Sequence, residues 1–440
     1  MKLGFSRTDI TPTEPVGLAG YGNSAARLSQ NVLSPLYTTC IALTDDREQT
    51  VLLVQNDILL IIASVSDPIR RAIAEETGIP FENIILHSTH NHSSPDLGCP
   101  QIEANGRYRQ WLSRCIRENA LKALADRKTV TSAETAKNRT KGLNFVRHYV
   151  LEDGSYRGDN FGEFNPSPYQ GHTTEADPEM RLVKFHRAGG TDVLLCNWQS
   201  HPHRTGGTKK YDVSSDIIGV LRDEMEAALD CSFLYFTGGA GNINPISYMP
   251  EENITKDYLE QGRALARYAL DAENRYEPLA LDNIRICTQS VWEPLNRPDK
   301  EMLEAACKIR DYWLETNDSI ASKKYAHTFG INSQHAALQF IRRINMKEDG
   351  FYYPFTALSL GDLAFVAVPY EMFDTHAKYV RDCSPFRQTI VASCCNDYLN
   401  YVPSAYAFLH GCYEADSSRV KPGAGERFAY TMVRMLRSLK

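Results

Sequence analysis

The sequence NIILHSTHNHSSP at residues 83–95 joins a short apolar run to a cluster of polar side chains. Asn83–Leu86 is typical of a short buried strand. His90 and His92 follow it, and an H-x-H pair at a strand end directs both imidazoles towards one face, where they can bind a metal ion. Alternatively, both histidines are hydrogen-bonded to the backbone of a loop.

A second apolar strand is followed by histidines in the same way. Val193–Trp198 leads into the sequence QSHPH at residues 199–203, which contains His201 and His203. In open α/β sheets, ligands bind at the ends of strands, so the two clusters are expected to converge. A metal site accounts for two converging H-x-H pairs better than two unrelated loops do.

Strands and helices alternate along the chain, which is the pattern of a sheet with helices on its faces. The predicted strands are Lys2–Ile10, Tyr37–Leu43, Val51–Val54, Asn83–Leu86, Arg181–Phe185, Val193–Trp198, Phe233–Phe236, Asn283–Val291, Phe355–Leu360, Ala364–Val368 and Thr389–Ser393. The predicted helices are Ser66–Thr77, Tyr108–Asp126, Ser215–Leu229, Lys256–Ala272, Lys300–Thr316, Met372–Arg381 and Gly425–Leu439.

The turn sequence LGDL at residues 360–363 predicts a hairpin between two of these strands, so the sheet is expected to be mixed. No Pro- or Ser-rich linker and no repeat divides the chain. The sequence therefore predicts an α/β fold with a mixed β-sheet core flanked by helices, forming one large catalytic domain over residues 1–440. Two stretches fit neither the helical nor the strand periodicity, namely Arg147–Asp177 and Asn317–Pro354. Such stretches are either binding loops and lids or solvent-exposed loops without a binding role.

Composition limits the class of protein and its partners. Of the 440 residues, 42% are hydrophobic and 23% charged, as in ordinary globular proteins. The formal net charge of −6 argues against nucleic acid and favours a small-molecule substrate. Eleven irregularly spaced cysteines indicate reduced thiols. The N-terminus lacks a signal-peptide core and the longest apolar run, Ile58–Ala63, is too short for a membrane span, so we expect a cytoplasmic protein of undetermined oligomeric state.

Three further segments supply candidate site residues. Residues 237–245 are rich in glycine, which allows close approach of a ligand, but they lack the Lys-Ser/Thr ending of a nucleotide-binding P-loop. Glu371 is predicted to open a helix, where a carboxylate commonly complements the helix dipole. Tyr401 and Tyr413 are separated by twelve residues, although tyrosines are abundant in this chain and usually pack as partly buried side chains.

Nine short motifs occur in an order that is specific in combination. They are Gly4–Pro12, Gly20-Tyr21-Gly22, His90-Asn91-His92, Asn144–Arg147, Ser200-His201-Pro202, Gly241–Pro245, Tyr370–Phe373, Tyr401-Val402 and Tyr413-Glu414. Together they resemble the neutral/alkaline non-lysosomal ceramidases, a family of zinc-dependent amidases. The resemblance extends over nearly the whole chain and is to the catalytic N-terminal domain of that family.

The resemblance implies roles for seven residues. By their positions in the motifs, the zinc ligands fall on His90, His201, Glu371 and Tyr401, and the substrate-contacting or catalytic groups fall on His92, Arg147 and Tyr413. Such a ligand set can hold Zn²⁺ and leave room for a water molecule whose pKa the metal lowers. Arg147 and Tyr413 would then donate to the oxyanion that forms from an amide carbonyl, and His92 would relay a proton.

The chain departs from the family at Asn244. The family usually carries a serine within a G-D-x-S-P motif, whereas this chain has GNINP at residues 241–245. The role of that hydroxyl is therefore either lost or passed to the Asn244 carboxamide, and we expect a substrate more compact and polar than long-chain ceramide. We also expect neither the immunoglobulin-like C-terminal domain of the longer ceramidases nor their secretory signal.

The leading hypothesis is thus a zinc-dependent hydrolase that cleaves a linear N-acyl amide, with Zn²⁺ as its cofactor. A metal-activated water is not selective for amides, so a small polar ester, lactone or glycoside is an alternative substrate. A non-catalytic protein that binds a metal or ligand is another alternative. A mixed His, Glu and Tyr ligand set, however, differs from the Cys-rich sets of structural zinc sites.

Overall fold

A computed structural model describes residues 1–22, 24–99, 101–158 and 167–440. Within these residues the strands are β1 (Lys2–Asp9), β2 (Asn31–Val32), β3 (Tyr37–Thr44), β4 (Thr50–Asn56), β5 (Ile84–Ser88), β6 (Lys128–Arg139), β7 (Phe145–Val146), β8 (Tyr149–Leu151), β9 (Tyr156–Arg157), β10 (Tyr169–His172), β11 (Glu179–Arg187), β12 (Val193–Trp198), β13 (Asp212–Val213), β14 (Ser232–Thr237), β15 (Ile243–Asn244), β16 (Glu277–Leu279), β17 (Ile284–Pro294), β18 (Gly350–Leu360), β19 (Leu363–Ala367), β20 (Glu371–Met372), β21 (Gln388–Ala392) and β22 (Tyr401–Val402). The helices are α1 (Ala63–Thr77), α2 (Glu103–Ala125), α3 (Asp216–Leu229), α4 (Tyr258–Leu270), α5 (Lys300–Thr316), α6 (Ser319–His327), α7 (Gln334–Ile344), α8 (Asp374–Asp382), α9 (Ala405–His410), α10 (Tyr413–Ser417) and α11 (Ala424–Leu439).

Two mixed sheets form the core. The larger has nine strands in the order β14-β12-β11-β6-β1-β3-β4-β5, with β16 paired to β6 beside this path. Its strands are mainly antiparallel, whereas β12 with β14 and β4 with β5 run parallel. The smaller sheet has the order β17-β18-β19-β21, in which β19 and β21 are parallel. The predicted α/β fold with a mixed sheet core flanked by helices is confirmed.

The two sheets pack face to face, and each carries helices on its outer face. In β12, Val193 and Leu195 point towards the smaller sheet, whereas Leu194 and Cys196 pack with α3 and α4. Helices α1 and α2 cover β3, β4 and β5, and helices α8 and α11 cover the smaller sheet. Full burial of one such leucine contributes roughly 1.5–3 kcal/mol. The result is one large α/β/β/α domain.

The edge strands β5 and β14 of the large sheet come close to each other. The backbone N–H of Tyr235 on β14 donates to Gln55 Oε1 on β4 at 2.9 Å, and that of Thr237 donates to His87 Nε2 on β5 at 3.1 Å. The segment after β21 reaches the same place, because His87 forms an antiparallel bridge with Cys395. The carboxyl ends of strands from both sheets therefore meet at one point, as the two histidine clusters predicted.

Every predicted strand and helix overlaps an observed one, with ends shifted by a few residues. The predicted hairpin is confirmed, since β18 and β19 are antiparallel and Gly361 takes the left-handed conformation that the turn requires (φ 66°). Helices α6 and α7 lie within the unassigned stretch Asn317–Pro354. The other unassigned stretch, Arg147–Asp177, contains β8, β9 and β10, and its residues 159–166 lie outside the described residues.

The prediction that Glu371 opens a helix is wrong. Glu371 lies in the short strand β20, and the helix begins three residues later at Asp374. The backbone N–H of Glu371 donates to the Asn400 carbonyl at 3.0 Å, and β20 pairs in parallel with β22, so that Glu371 is opposite Tyr401. This long-range pairing, rather than local helix propensity, determines the backbone at Glu371.

Candidate metal centre

His90 and His201 are held from behind by backbone carbonyls. His90 Nδ1 lies 2.9 Å from the Leu59 carbonyl oxygen, and His201 Nδ1 lies 2.9 Å from that of Ile243. A carbonyl can only accept, so each Nδ1 carries a proton and each Nε2 is the atom that faces the site. A second hydrogen bond that fixes the tautomer in this way is usual for metal-ligating histidines.

Both Nε2 atoms face the same carboxylate oxygen. Glu371 Oε2 lies 2.9 Å from His201 Nε2 and 3.2 Å from His90 Nε2. The three side chains are almost fully buried. The rings of His90 and His201 are 4.9 Å apart and nearly perpendicular, with an interplanar angle of 73°. Strand ends that are far apart in sequence thus bring three metal-ligating groups to one point.

The arrangement suits a shared cation. His201 Nε2 and Glu371 Oε2 are buried and make no hydrogen bond of acceptable geometry with any residue that the structure describes. Burial, followed by the charge of Arg147, lowers the pKa of His201 to about 4, so this imidazole is neutral near pH 7. Ligand atoms that lie about 2.0–2.2 Å from one tetrahedral zinc ion are about 3.3–3.6 Å apart, slightly more than the 2.9 Å and 3.2 Å observed here. These residues fit Zn²⁺.

A proton can take the place of the cation at His90. Burial lowers the pKa of His90, but the charge of Glu371 and the contacts of Cys394 and Glu371 together outweigh burial and raise the pKa well above its usual range. The protonated His90 forms an ion pair with Glu371. The ion pair therefore gives a partner to His90 Nε2 but leaves His201 Nε2 without a hydrogen-bond partner among the described residues.

Two tyrosines lie beside Glu371. Tyr398 donates its hydroxyl to Glu371 Oε1 at 2.6 Å. Tyr401 is opposite Glu371 in the pairing of β20 with β22, and the Arg147 guanidinium carbon lies 5.5 Å from the centre of its ring. Burial, followed by the charge of Glu371, raises the pKa of Tyr401 well above its usual value, so its phenol keeps its proton when no cation is near. Tyr413 packs edge-on against Tyr401 at 5.7 Å.

Arg147 belongs to a buried charge network next to these tyrosines. Its Nε donates to Glu414 Oε1, its Nη2 donates to the Gly241 carbonyl at 2.7 Å, and its Nη1 lies 3.4 Å from Asn244 Oδ1. The other oxygen of Glu414 lies 2.9 Å from His148 Nε2. Burial alone would raise the pKa of Glu414, but the charges of Arg147 and then His148 outweigh it and lower the pKa to about 2. The carboxylate thus fixes the guanidinium.

His92 lies on another side of the centre. Its ring is 5.2 Å from the ring of His90 and 5.5 Å from that of His201, and the ligand nitrogens of the three histidines all lie within 4.8 Å of one another. Both ring nitrogens of His92 are enclosed and have no hydrogen-bond partner within the described part of the chain. Gly20 (φ 107°) passes so close that an added Cβ would lie 2.6 Å from the His92 ring. Backbone at Gly20 therefore confines the imidazole.

Asn244 connects Arg147 with a further histidine. Its Oδ1 lies 3.1 Å from His203 Nε2, in addition to its longer contact with Arg147. The ring of His203 is 5.3 Å from that of His92. Strand β15, which carries Asn244, pairs with β7 and places the residue opposite Phe145, two positions before Arg147. All seven residues given roles by the family motifs, and Asn244, thus belong to one cluster.

Sequence reasoning assigned no role to three residues of this cluster, which are His148, Tyr398 and Glu414. It considered His203 only as the second member of an H-x-H pair. The second histidine of QSHPH and the first tyrosine of NDYLNY at residues 396–401 were visible signals, since each lies within three residues of a proposed ligand. The Glu414 contact had no such signal, because its partner Arg147 is distant in sequence.

The backbone around the site is strained. Four non-glycine residues adopt the left-handed conformation, namely His90, Cys394, Asn396 and Asn400. Such a conformation costs on the order of 1–3 kcal/mol at each position, and it persists only where the surroundings impose it. The Leu86 N–H donates to Asn396 Oδ1 at 2.8 Å and so ties this loop to β5. Strain of this kind is concentrated at functional sites.

The fold and the site together define a mixed α/β protein with a histidine and carboxylate centre at its strand ends. No protein-family model matches the chain, and no curated protein matches it. Several solved structures do match, among them a neutral ceramidase from Pseudomonas aeruginosa (TM-score 0.73, 15% identity, covering 100% of this chain and 74% of that one) and a ceramidase complexed with C2 (TM-score 0.72, 14% identity, covering 100% and 75%). The chain has the fold of these neutral ceramidases, which confirms the resemblance at the level of fold.

Of the described helices, none is both long and apolar enough to cross a membrane.

Proposed function

We propose that the chain is a metal-dependent hydrolase that cleaves the C–N bond of a compact, polar N-acyl amide. The proposed Zn²⁺ ligands are His90, His201, Glu371 and Tyr401. The observation that carries the proposal is the approach of His201 Nε2 to Glu371 Oε2 at 2.9 Å, buried and without a hydrogen bond. Two acceptors this close repel each other unless a cation lies between them.

The metal, when bound, supplies a Lewis acid and a water of lowered pKa. His92 is placed to handle the proton, because its two ring nitrogens have no other partner among the described residues. Burial, followed by the charge of His90, lowers its pKa well below the usual value and so keeps the imidazole neutral. A neutral imidazole can take a proton from the attacking water and return it to the leaving nitrogen.

Arg147 and Tyr413 would stabilise the oxyanion. The Arg147 Nη1 contact to Asn244 is long, at 3.4 Å, so this N–H can turn towards a developing negative charge at little cost. Burial, followed by the charge of Glu371, raises the pKa of Tyr413, so its hydroxyl keeps the proton that it would donate. The pair of Glu414 with Arg147 orients the guanidinium before substrate binds.

The polar substrate is inferred from Asn244. A carboxamide offers both a donor and an acceptor, and the neighbouring groups are Arg147 and His203. A buried set of this kind rejects a substrate that leaves its members unpaired. Long-chain ceramide is therefore expected to be a poor substrate.

The test is a hydrolysis assay on a protein of known metal content. The purified chain is analysed for metal by mass spectrometry and assayed with short N-acyl amides, small esters, lactones, glycosides and a long-chain ceramide, before and after chelation and after Zn²⁺ is restored. We expect one zinc per chain and amide hydrolysis that is lost and recovered with the metal. Preferred cleavage of an ester, lactone or glycoside would redirect the substrate class. Stoichiometric zinc without any hydrolysis would support a non-catalytic binding protein instead.

A further inference from the structure

The two oxygens of Glu371 have different partners. Oε2 faces His90 Nε2 and His201 Nε2, whereas Oε1 accepts the Tyr398 hydroxyl at 2.6 Å. A carboxylate oxygen accepts and a phenol hydroxyl donates in such a contact. Tyr398 is therefore a donor to the oxygen on the side away from the two imidazoles.

Tyr398 is itself held in place. Its ring stacks on the His90 ring at 6.4 Å with an interplanar angle of 22°. The preceding residue, Asp397, accepts from the backbone N–H of Ala63 at 2.8 Å and from that of Tyr398 at 2.7 Å. These contacts attach the loop between β21 and β22 to the start of α1, so the direction of the hydroxyl is fixed by the fold.

We propose that Tyr398 is a positioning residue that makes Glu371 a one-oxygen metal ligand. With Oε1 occupied by the phenol, the carboxylate cannot rotate to offer both oxygens to the cation, and Oε2 stays aimed at the point shared by the imidazoles. Hydrogen bonds to ligating groups typically change metal affinity by about 10–100-fold. The inference rests on the proposed metal centre and adds a function for a residue outside the ligand set.

Alternative roles for Tyr398 predict different behaviour. A phenolate ligand would have to approach the cation from the side of Oε2, whereas the observed hydroxyl is bonded to Oε1. A packing role alone would depend on the ring, which contacts His90, and not on the hydroxyl. Removal of the hydroxyl with retention of the ring separates these possibilities.

The experiment compares Tyr398→Phe with Tyr353→Phe in the full-length protein. Tyr353 is a matched control because it is also buried and its hydroxyl has no hydrogen-bond partner. The Kd for Zn²⁺ is measured by competition with a chelating indicator, and the visible absorption spectrum is recorded after substitution with Co²⁺. We expect a Kd about 10–100-fold higher in Tyr398→Phe, with a weaker Co²⁺ absorption as the carboxylate becomes bidentate. Tyr353→Phe should match the unmodified protein in both.

Three outcomes would overturn the inference, and they are distinguishable. A Kd within twofold of the unmodified protein, with an unchanged Co²⁺ spectrum, would remove the positioning role and leave the metal centre intact. Complete loss of zinc binding in Tyr398→Phe, together with a lower thermal midpoint of its metal-free form, would make Tyr398 a ligand or a structural residue. Absence of stoichiometric zinc from the unmodified protein would refute the proposed metal centre and this inference together.

Discussion

The Nε2 atom of His201 lies 2.9 Å from Oε2 of Glu371, and each of these atoms is aimed by a hydrogen bond on the far side of its group. The Ile243 carbonyl holds Nδ1 of the imidazole, and the Tyr398 hydroxyl holds Oε1 of the carboxylate. The fold itself thus orients both groups towards the point that they share. Preorganisation of this kind reduces the cost of ordering ligands around a metal.

The first prediction concerns metal content. His201→Ala and Glu371→Gln should each reduce bound zinc from one per chain to well below stoichiometry after dialysis, because each removes one of three converging ligand groups. His410→Ala is the control, since His410 is exposed and stacks on Tyr156. Mass spectrometry of the dialysed proteins gives the answer, and full zinc retention in Glu371→Gln would remove that residue from the ligand set.

The fold was largely predictable from sequence because its core strands are continuous apolar runs bounded by turns. Val193–Trp198 is the clearest case, since prediction and structure agree at both ends. Strand β6 (Lys128–Arg139) escaped prediction because its few buried side chains are small, such as Ala133 and Ala136, and give no apolar alternation. Its extended conformation is imposed by pairing with β11 over nine residues.

The proposed ligands could be picked out from the sequence, but the contacts that orient them could not. The histidines lie at the ends of apolar strands, which is a local pattern that can be recognised in the sequence. Glu371 and the tyrosines were proposed from their positions in the family motifs. The contact of Glu414 with Arg147 and that of Tyr398 with Glu371 depend on the packing of separate segments. Such contacts leave no periodicity in the sequence.

The second prediction concerns the stability of the Arg147 network. Arg147→Ala should lower the free energy of unfolding by about 3–5 kcal/mol, because it leaves the buried Glu414 carboxylate without its main counter-charge. The double variant Arg147→Met with Glu414→Gln should lose distinctly less, because no buried charge is left unpaired. Urea unfolding of both variants measures the free energy of unfolding. Equal decreases in the two variants would mean that the unpaired Glu414 charge does not cause the loss of stability in Arg147→Ala.

The third prediction concerns acid stability. The folded pKa of Glu414, about 2, lies below the ordinary value of 4.5, so its contribution is fully present above pH 4.5 and is lost as the pH falls towards 2. A shift of this size corresponds to about 3 kcal/mol. Between pH 6 and pH 3 the free energy of unfolding should therefore fall more steeply in the unmodified protein than in Glu414→Gln. Both proteins are measured after chelation so that metal release does not contribute, and parallel curves would contradict the assignment.

The fourth prediction uses two glycines with similar backbones. Gly20 (φ 107°) and Gly22 (φ 86°) both lie in the left-handed region, so replacement of either by alanine should cost about 1–2 kcal/mol of stability. A Cβ at position 20 would also collide with the His92 ring, whereas a Cβ at position 22 would meet no atom of the described residues within 4 Å. Turnover of the best amide substrate should therefore fall by about 10-fold or more in Gly20→Ala alone. Equal turnover in the two variants would show that His92 does not act in the reaction.

The last prediction concerns Asn244 and substrate choice. Its Oδ1 lies 3.1 Å from His203 Nε2 and 3.4 Å from Arg147 Nη1, so the carboxamide occupies space between two polar groups that face the centre. Asn244→Ser shortens the side chain and breaks both contacts, which opens room beside the metal and leaves His203 and Arg147 free to contact a bulkier head group. We expect kcat/KM for short polar N-acyl amides to fall by about 10–100-fold, as is usual when a buried polar contact to substrate is lost, while kcat/KM for a detergent-solubilised long-chain ceramide stays level or rises. Zinc content and the thermal midpoint should stay close to those of the unmodified protein, because Asn244 is not among the proposed ligands. If the unmodified protein already cleaves ceramide efficiently and Asn244→Ser lowers both activities by the same factor, then Asn244 supports catalysis in general and does not select the substrate.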